Sequence, residues 1–123
     1  MKRIAAIIRP FKLDDVSDAL AGIGIRGMTV TEVTGFEQSK GHFQVSRGHA
    51  YASDYIPKIK IEVVISDERL DDTLAAVIQG ARTGKVGDGK IFVTGVSEVI
   101  RIRTGEMGDD ACNPPFYGEV SAS

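Results

Sequence analysis

Ile59-Lys-Ile-Glu-Val-Val-Ile65, followed by Ser66-Asp67 and then by apolar residues at Leu70, Leu74, Val77, Ile78 and Ala81, is the stretch on which the fold turns. An Ile/Val run of this length reads as a strand, the Ser-Asp pair offers a helix N-cap, and the apolar spacing lays one stripe along a helix. Ile91 to Val99 then reads as another strand. The same order stands earlier in the chain. Lys2 to Arg9 is an Ile-rich strand closed by Pro10, and Leu13, Val16, Leu20 and Ile23 keep helical spacing around Asp14 and Asp15. Gly24 suits the exit of that helix, and Met28 to Phe36 crowds β-branched Thr and Val behind Gly27. Two successive strand-helix-strand units predict an α+β fold, a ferredoxin-like βαββαβ sandwich whose antiparallel sheet carries both helices on one face.

A chain of 123 residues is one domain's worth, and 42% hydrophobic with 26% charged residues is the composition of a folded globular protein. The 15 Lys and Arg stand against 17 Asp and Glu, a formal charge of −2, so no global basic field exists to gather nucleic acid or an anionic membrane. Any anion site must be a local cluster. Cys112 is the one cysteine and cannot form an internal disulfide; no Cys/His spacing resembles a metal site, and a reducing compartment is expected. The opening residues meet a charge at Arg9 before reaching signal-peptide length, and no apolar run approaches the roughly 20 residues that span a bilayer. The expectation is a cytoplasmic protein without membrane insertion.

Three segments fall outside the repeat. Residues 37–57 form a long connection carrying Gly41, Gly48, three aromatics, His42 and His49, and connections of that length in small domains tend to be functional or mobile. With no acidic or thiol partner at metal spacing, the two histidines read as solvated loop residues. Thr83-Gly84-Lys85-Val86-Gly87-Asp88-Gly89-Lys90 contains Gly-x4-Gly-Lys, the spacing of a phosphate-binding P-loop, but Ile91 stands where a Ser or Thr would hold magnesium. The segment also leaves a helix and opens a strand, the reverse of a P-loop, which argues against a Walker-type NTPase. Its glycines still let backbone N–H groups turn toward an anion, with Lys85 and Lys90 adding charge; a turn with solvated lysines is the alternative. Third, Arg101-Ile-Arg103 alternates, so both guanidinium groups could leave one face of an extended strand, which suits phosphate as well as solvent. No Ser/His/Asp arrangement or other catalytic constellation stands out, and the strands carry Ile and Val with only Phe92 near a suitable place for base stacking, so catalysis has no candidate and RNA binding is a weak alternative.

From Lys2 to about Gly108 the chain resembles the PII signal-transduction proteins. The resemblance runs through Ile-Ile-Arg-Pro-Phe-Lys-Leu, Gly27-Met-Thr-Val-Thr-Glu-Val, Lys58-Ile-Lys-Ile-Glu-Val-Val, the run from Ala81 to Val93, and Ile100-Arg-Ile-Arg-Thr-Gly-Glu. It implies a PII-type domain over residues 1–110, with a T-loop at 37–57, a B-loop at 82–90, a C-loop at 101–109 and a C-terminal extension at 111–123. It also implies a homotrimer with ADP or ATP, the latter with Mg, in the clefts between subunits. Gly87, Asp88, Gly89 and Lys90 would hold phosphates, and Arg101 and Arg103 would reach the same nucleotide from the adjacent subunit. Ile7, Met28, Thr29, Gly35 and Val64 would line the adenine and ribose end, and Glu62 would contact the adenine. The implied activity is non-catalytic: nucleotide state sets the T-loop conformation and thereby controls a target enzyme, regulator or membrane transporter in nitrogen and carbon metabolism.

The departures lie in the T-loop. Where the family usually reads Gly-Phe-Gly-Arg-Gln-Lys-Gly-His, this chain reads Gly35-Phe-Glu-Gln-Ser-Lys-Gly-His42. Ser39 is too short to replace the glutamine that bridges magnesium and 2-oxoglutarate, which weakens the case for 2-oxoglutarate sensing, although Arg9, Lys40, Gly41 and Lys58 remain to attract an effector carboxylate. Glu37 and Gln38 further disfavour a second dianion. Tyr51 stands where many members are uridylylated, in the altered context Ser46-Arg-Gly-His-Ala-Tyr-Ala. These departures admit an alternative, a PII-like regulator of bicarbonate metabolism or of a transporter, responding to ADP or AMP, with bicarbonate as an effector. A slow ATPase built on the lysine-bearing loop is a weaker alternative, lacking a base and a magnesium hydroxyl.

Overall fold

The computed structural model describes residues 1–36 and 55–112. In chain order these form β1 (Lys2–Ile8), α1 (Leu13–Gly22), β2 (Thr29–Phe36), β3 (Tyr55–Ile65), α2 (Leu70–Ala81), β4 (Lys90–Gly95) and a short α3 (Asp109–Cys112). The four strands make one sheet in the order β2-β3-β1-β4, every neighbouring pair antiparallel. This is the βαββαβ topology expected of the two repeated units.

The period-2 geometry of the central strands sorts their side chains onto two faces. Ile4, Ala6 and Ile8 of β1 and Ile59, Ile61, Val63 and Ile65 of β3 join Val16 and Leu20 of α1 and Ala76, Val77 and Ala81 of α2 in one core. The two helices approach so closely that a Cβ at Gly80 would lie 2.7 Å from the Cα of Val16. On the other face, register places Thr31, Lys60, Ile7 and Lys90 in one row across the sheet. The next row is Thr29, Glu62, Ala5 and Phe92. No helix of the described chain is long and apolar enough to cross a membrane.

Several boundaries differ from expectation. β1 stops at Ile8, because Arg9 leads into a 3-10 turn at Pro10–Lys12. β3 begins at Tyr55, so residues 55–57 of the long connection belong to a strand paired with β2. β4 ends at Gly95 instead of Val99: its partner β1 is used up at the Lys2–Gly95 pair, with a last bond from Val96 N–H to Met1 O at 3.1 Å. Ser66 makes no side-chain cap bond, since a 3-10 turn at Asp67–Arg69 intervenes before α2; Asp67 instead accepts the Met1 ammonium at 2.8 Å.

Gly80 and Gly22 make opposite predictions. Gly80→Ala forces a methyl into the backbone of α1 and should destabilise the protein by about 1–3 kcal/mol. Gly22→Ala, with nothing within 4 Å of the added carbon, should be neutral or stabilising by up to about 1 kcal/mol. Urea denaturation midpoints of the two variants, with unchanged slopes, check the pair.

Candidate phosphate-binding cleft

α2 ends as Arg82 turns extended, its N–H still bonded to Ile78 O at 3.0 Å. The chain then winds through Gly84, Gly87 and Gly89, with φ of 86°, 100° and 106°, values that residues with a Cβ rarely adopt. Gly89 is constrained twice, because a Cβ there would sit 1.7 Å from the carbonyl oxygen of Ile7. The loop therefore rests directly on the end of β1.

Asp88 gathers this loop around its side chain. Its Oδ2 accepts the N–H groups of Thr83 and Gly84, both at 2.8 Å. Its Oδ1 accepts Arg9 Nε at 3.0 Å and the Thr83 hydroxyl. The Thr83 hydroxyl, then the Thr83 amide, Arg9 and the Gly84 amide hold the Asp88 carboxyl well below the usual carboxylate range, against the opposing effect of desolvation. Arg9 Nη2 also donates to Val86 O at 2.7 Å, and Lys58 Nζ donates to Gly87 O at 2.6 Å. Lys58 is only 7% exposed.

In front of the loop lies a cleft of about 410 Å³, lined among others by Ile7, Gly35, Lys58, Gly87, Gly89 and Lys90. Thus β1, β2, β3 and the glycine loop bring these expected residues to one place. Phe92 also lines the cleft, and its register row carries Thr29 and Glu62. Glu62 is engaged by Arg3 at 3.1 Å and Lys60 at 3.7 Å. Val64 stands one row further, opposite Arg3. Met28 packs against the helix-side core. Behind the loop, a second crevice of about 330 Å³ has aliphatic walls that include Val77, Ile78, Ala81 and Ile91.

Arg101 and Arg103 do not stand on one extended strand. The chain doubles back through an Ile100–Met107 bridge and a turn at residues 102–104, with Gly105 at φ 76°. Arg101 N–H donates to Glu106 O at 2.8 Å, and its guanidinium turns to Asp110 O at 3.1 Å and toward the Glu106 carboxylate at 3.4 Å. Arg103 is exposed near the tip of this turn. The departure arises because β4 has lost its partner strand and residues 100–107 pair with themselves. Ser39, Lys40, Gly41, His42, His49 and Tyr51, together with most of the 37–57 connection and residues 113–123, lie outside the described residues.

The ties of Arg9 and Lys58 to the loop were not read from the sequence, where both stood only as effector ligands. A signal for the Asp88 arrangement was present: an aspartate between two glycines, five residues after a threonine, is suited to close a turn on its own backbone.

The profile of the family described as "Nitrogen regulatory protein P-II" matches residues 1–106. The chain belongs to the PII family. It is 59% identical over 111 residues to the nitrogen regulatory protein P-II 1 of Escherichia coli K12, covering 90% of this chain and 99% of that protein. The Pasteurella multocida P-II protein is 57% identical with the same coverage. A solved structure of Arabidopsis thaliana PII bound to citrate matches with a TM-score of 0.76 and 41% identity, covering 92% of this chain and 90% of that one. The PII chain described here is accordingly a signal-transduction regulator and not an enzyme. Its relatives carry the nitrogen-regulatory name, and nothing in them points to the bicarbonate reading.

The depressed carboxyl of Asp88 sets the sign of a pH effect. A group whose folded pKa is lowered contributes stability that is present above its unfolded pKa and lost as pH falls toward the folded value. The stability difference between wild type and Asp88→Asn should therefore grow as pH rises from strongly acid through the usual carboxylate range, then level off. Chemical denaturation of both proteins at a series of pH values reads this directly; a pH-independent difference contradicts it.

Proposed function

We propose that this PII protein binds ADP or ATP, the latter with Mg, and uses the bound nucleotide to control a target protein in nitrogen metabolism. The observation that carries the reading is the cleft in which Gly35, Ile7 and the loop Gly87-Asp88-Gly89, with both its glycines at positive φ, meet Lys90 and Lys85. Its polar end offers closely spaced amides and ammonium groups to a polyphosphate. Its other flank runs along the open sheet face past Phe92 toward Thr29, Glu62 and Val64, which take the adenine and ribose; Met28, packed against the helix-side core, takes no part. The domain is residues 1–110, with the phosphate loop at 82–90, the arginine loop at 101–109 and an extension at 111–123.

Arg101 and Arg103 do not line the cleft of their own chain, and this supports a homotrimer in which they complete the site of the neighbouring subunit. The open sheet face, with Ala5 buried at 6% exposure yet Val64 and Ile7 only half-buried, is the face such a neighbour would cover. The output is the T-loop, residues 37–57. Nucleotide binding transmits a signal only because ADP and ATP favour different T-loop states; equal affinity for both states would shift no population. Sensing of 2-oxoglutarate is not part of the proposal: Ser39 lacks the reach of a glutamine, and Arg9 and Lys58 are committed to the phosphate loop. Bilayer insertion and catalysis are not needed, and the cytoplasm is the setting that fits.

Isothermal calorimetry with ADP and ATP, with and without Mg and 2-oxoglutarate, tests the proposal. Saturable binding of both nucleotides is expected, with at least a tenfold loss, about 1.4 kcal/mol or more, in Lys90→Ala. Addition of 2-oxoglutarate should leave the ATP affinity unchanged. Absence of nucleotide heat from the wild-type protein would end the reading.

A further inference from the structure

The structure assigns Asp88, acting with Arg9, as a positioning residue: together they fix the course of residues 83–88, so that the loop presents its amides to phosphates while the Asp88 carboxylate itself binds none. This rests on the nucleotide reading above and changes the part that Asp88 and Arg9 play in it.

An ionised carboxylate is an acceptor only, and here both oxygens are engaged, by Thr83 N–H and Gly84 N–H on one side and by Arg9 Nε and the Thr83 hydroxyl on the other. It has nothing to offer a phosphate except like-charge repulsion. What it does is close the loop on itself: four donors from the loop's first half and from β1's end converge on a residue in the loop's second half. Arg9 then extends the frame, since its Nη2 takes Val86 O at 2.7 Å while Lys58 takes Gly87 O at 2.6 Å. In a trans peptide the C=O and the following N–H point in opposite directions. Drawing the carbonyls of Val86 and Gly87 toward two cations therefore turns the N–H groups of Gly87 and Asp88 away from them, as donors for another partner. Gly87 is also packed against the frame, with a built Cβ only 3.1 Å from Arg9 Nη2.

The same geometry separates this loop from a P-loop. The amides of Thr83 and Gly84, at the start of Gly-x4-Gly-Lys, are already occupied by an internal anion, so an external phosphate is confined to the Gly87–Lys90 half.

Calorimetry of the full chain with AMP and ADP tests the assignment in wild type, Asp88→Asn, Thr83→Val and the conservative Thr83→Ser, with thermal midpoints recorded alongside. Asp88→Asn and Thr83→Val should lower the ratio of ADP to AMP affinity at least tenfold, and Thr83→Ser should keep the wild-type ratio. ADP binding to Asp88→Asn as tight as or tighter than wild type, the outcome of relieved repulsion, overturns the positioning role alone. So does an equal loss for AMP and ADP, the mark of general damage to the fold. A wild-type protein that takes up neither nucleotide overturns the nucleotide reading, and this role with it.

Discussion

The cleft exists because the backbone at Gly89 lies directly on the carbonyl of Ile7, at a distance no side chain could share. That contact joins the glycine loop to the end of a central strand of the sheet, and the rest of the site is built outward from it. Arg9, two residues beyond Ile7, is brought within reach of Asp88 and Val86, and Lys58, from the neighbouring strand, reaches Gly87. A loop of three positive-φ glycines would ordinarily sample many conformations. Here one carboxylate and two cations, each fixed to an element of the sheet or to the loop itself, choose among them.

This arrangement also settles how charge is distributed at the site. Asp88 carries a full negative charge in the middle of a candidate anion cleft, which alone would repel a phosphate. Arg9 offsets it at 3.0 Å, and the backbone donors from Thr83 and Gly84 spread the remainder. Lys85 and Lys90 line the cleft without an ion pair to Asp88, so the positive potential that reaches an incoming ligand comes from them. The single-chain site is thus balanced internally and basic at its rim.

The architecture was legible in the sequence because it is written in periodicity. The apolar residues of Lys2–Ile8 and of Ile59–Ile65 and the 3.6-residue stripes of the two helices place the core without reference to distant contacts. The glycine loop could be found as a candidate for the same local reason, its composition. What could not be read were the ends of elements and the long-range ties. β4 stops where β1 ceases to pair with it, a fact of the sheet and not of residues 96–99, whose composition suits a strand. Arg101 and Arg103 alternate as a strand would, yet the chain folds back on itself there once its partner is gone. The bonds from Arg9 and Lys58 to the loop span 77 and 29 residues, and no local pattern announces them. Most of the 37–57 connection lies outside the described residues.

The strand order has a consequence for how the molecule comes to be. β1 precedes the other strands, but neither of its sheet partners, β3 (Tyr55–Ile65) and β4 (Lys90–Gly95), is the strand that follows it in the chain. The apolar run at Ile4, Ala6, Ile7 and Ile8 must therefore wait, without lateral hydrogen bonding, until β3 has emerged. Contacts of such wide sequence separation slow the assembly of a sheet. Because the cleft needs both Ile7 and the glycine loop that leads into β4, it is among the last features to take shape, after the two halves of the sheet have met.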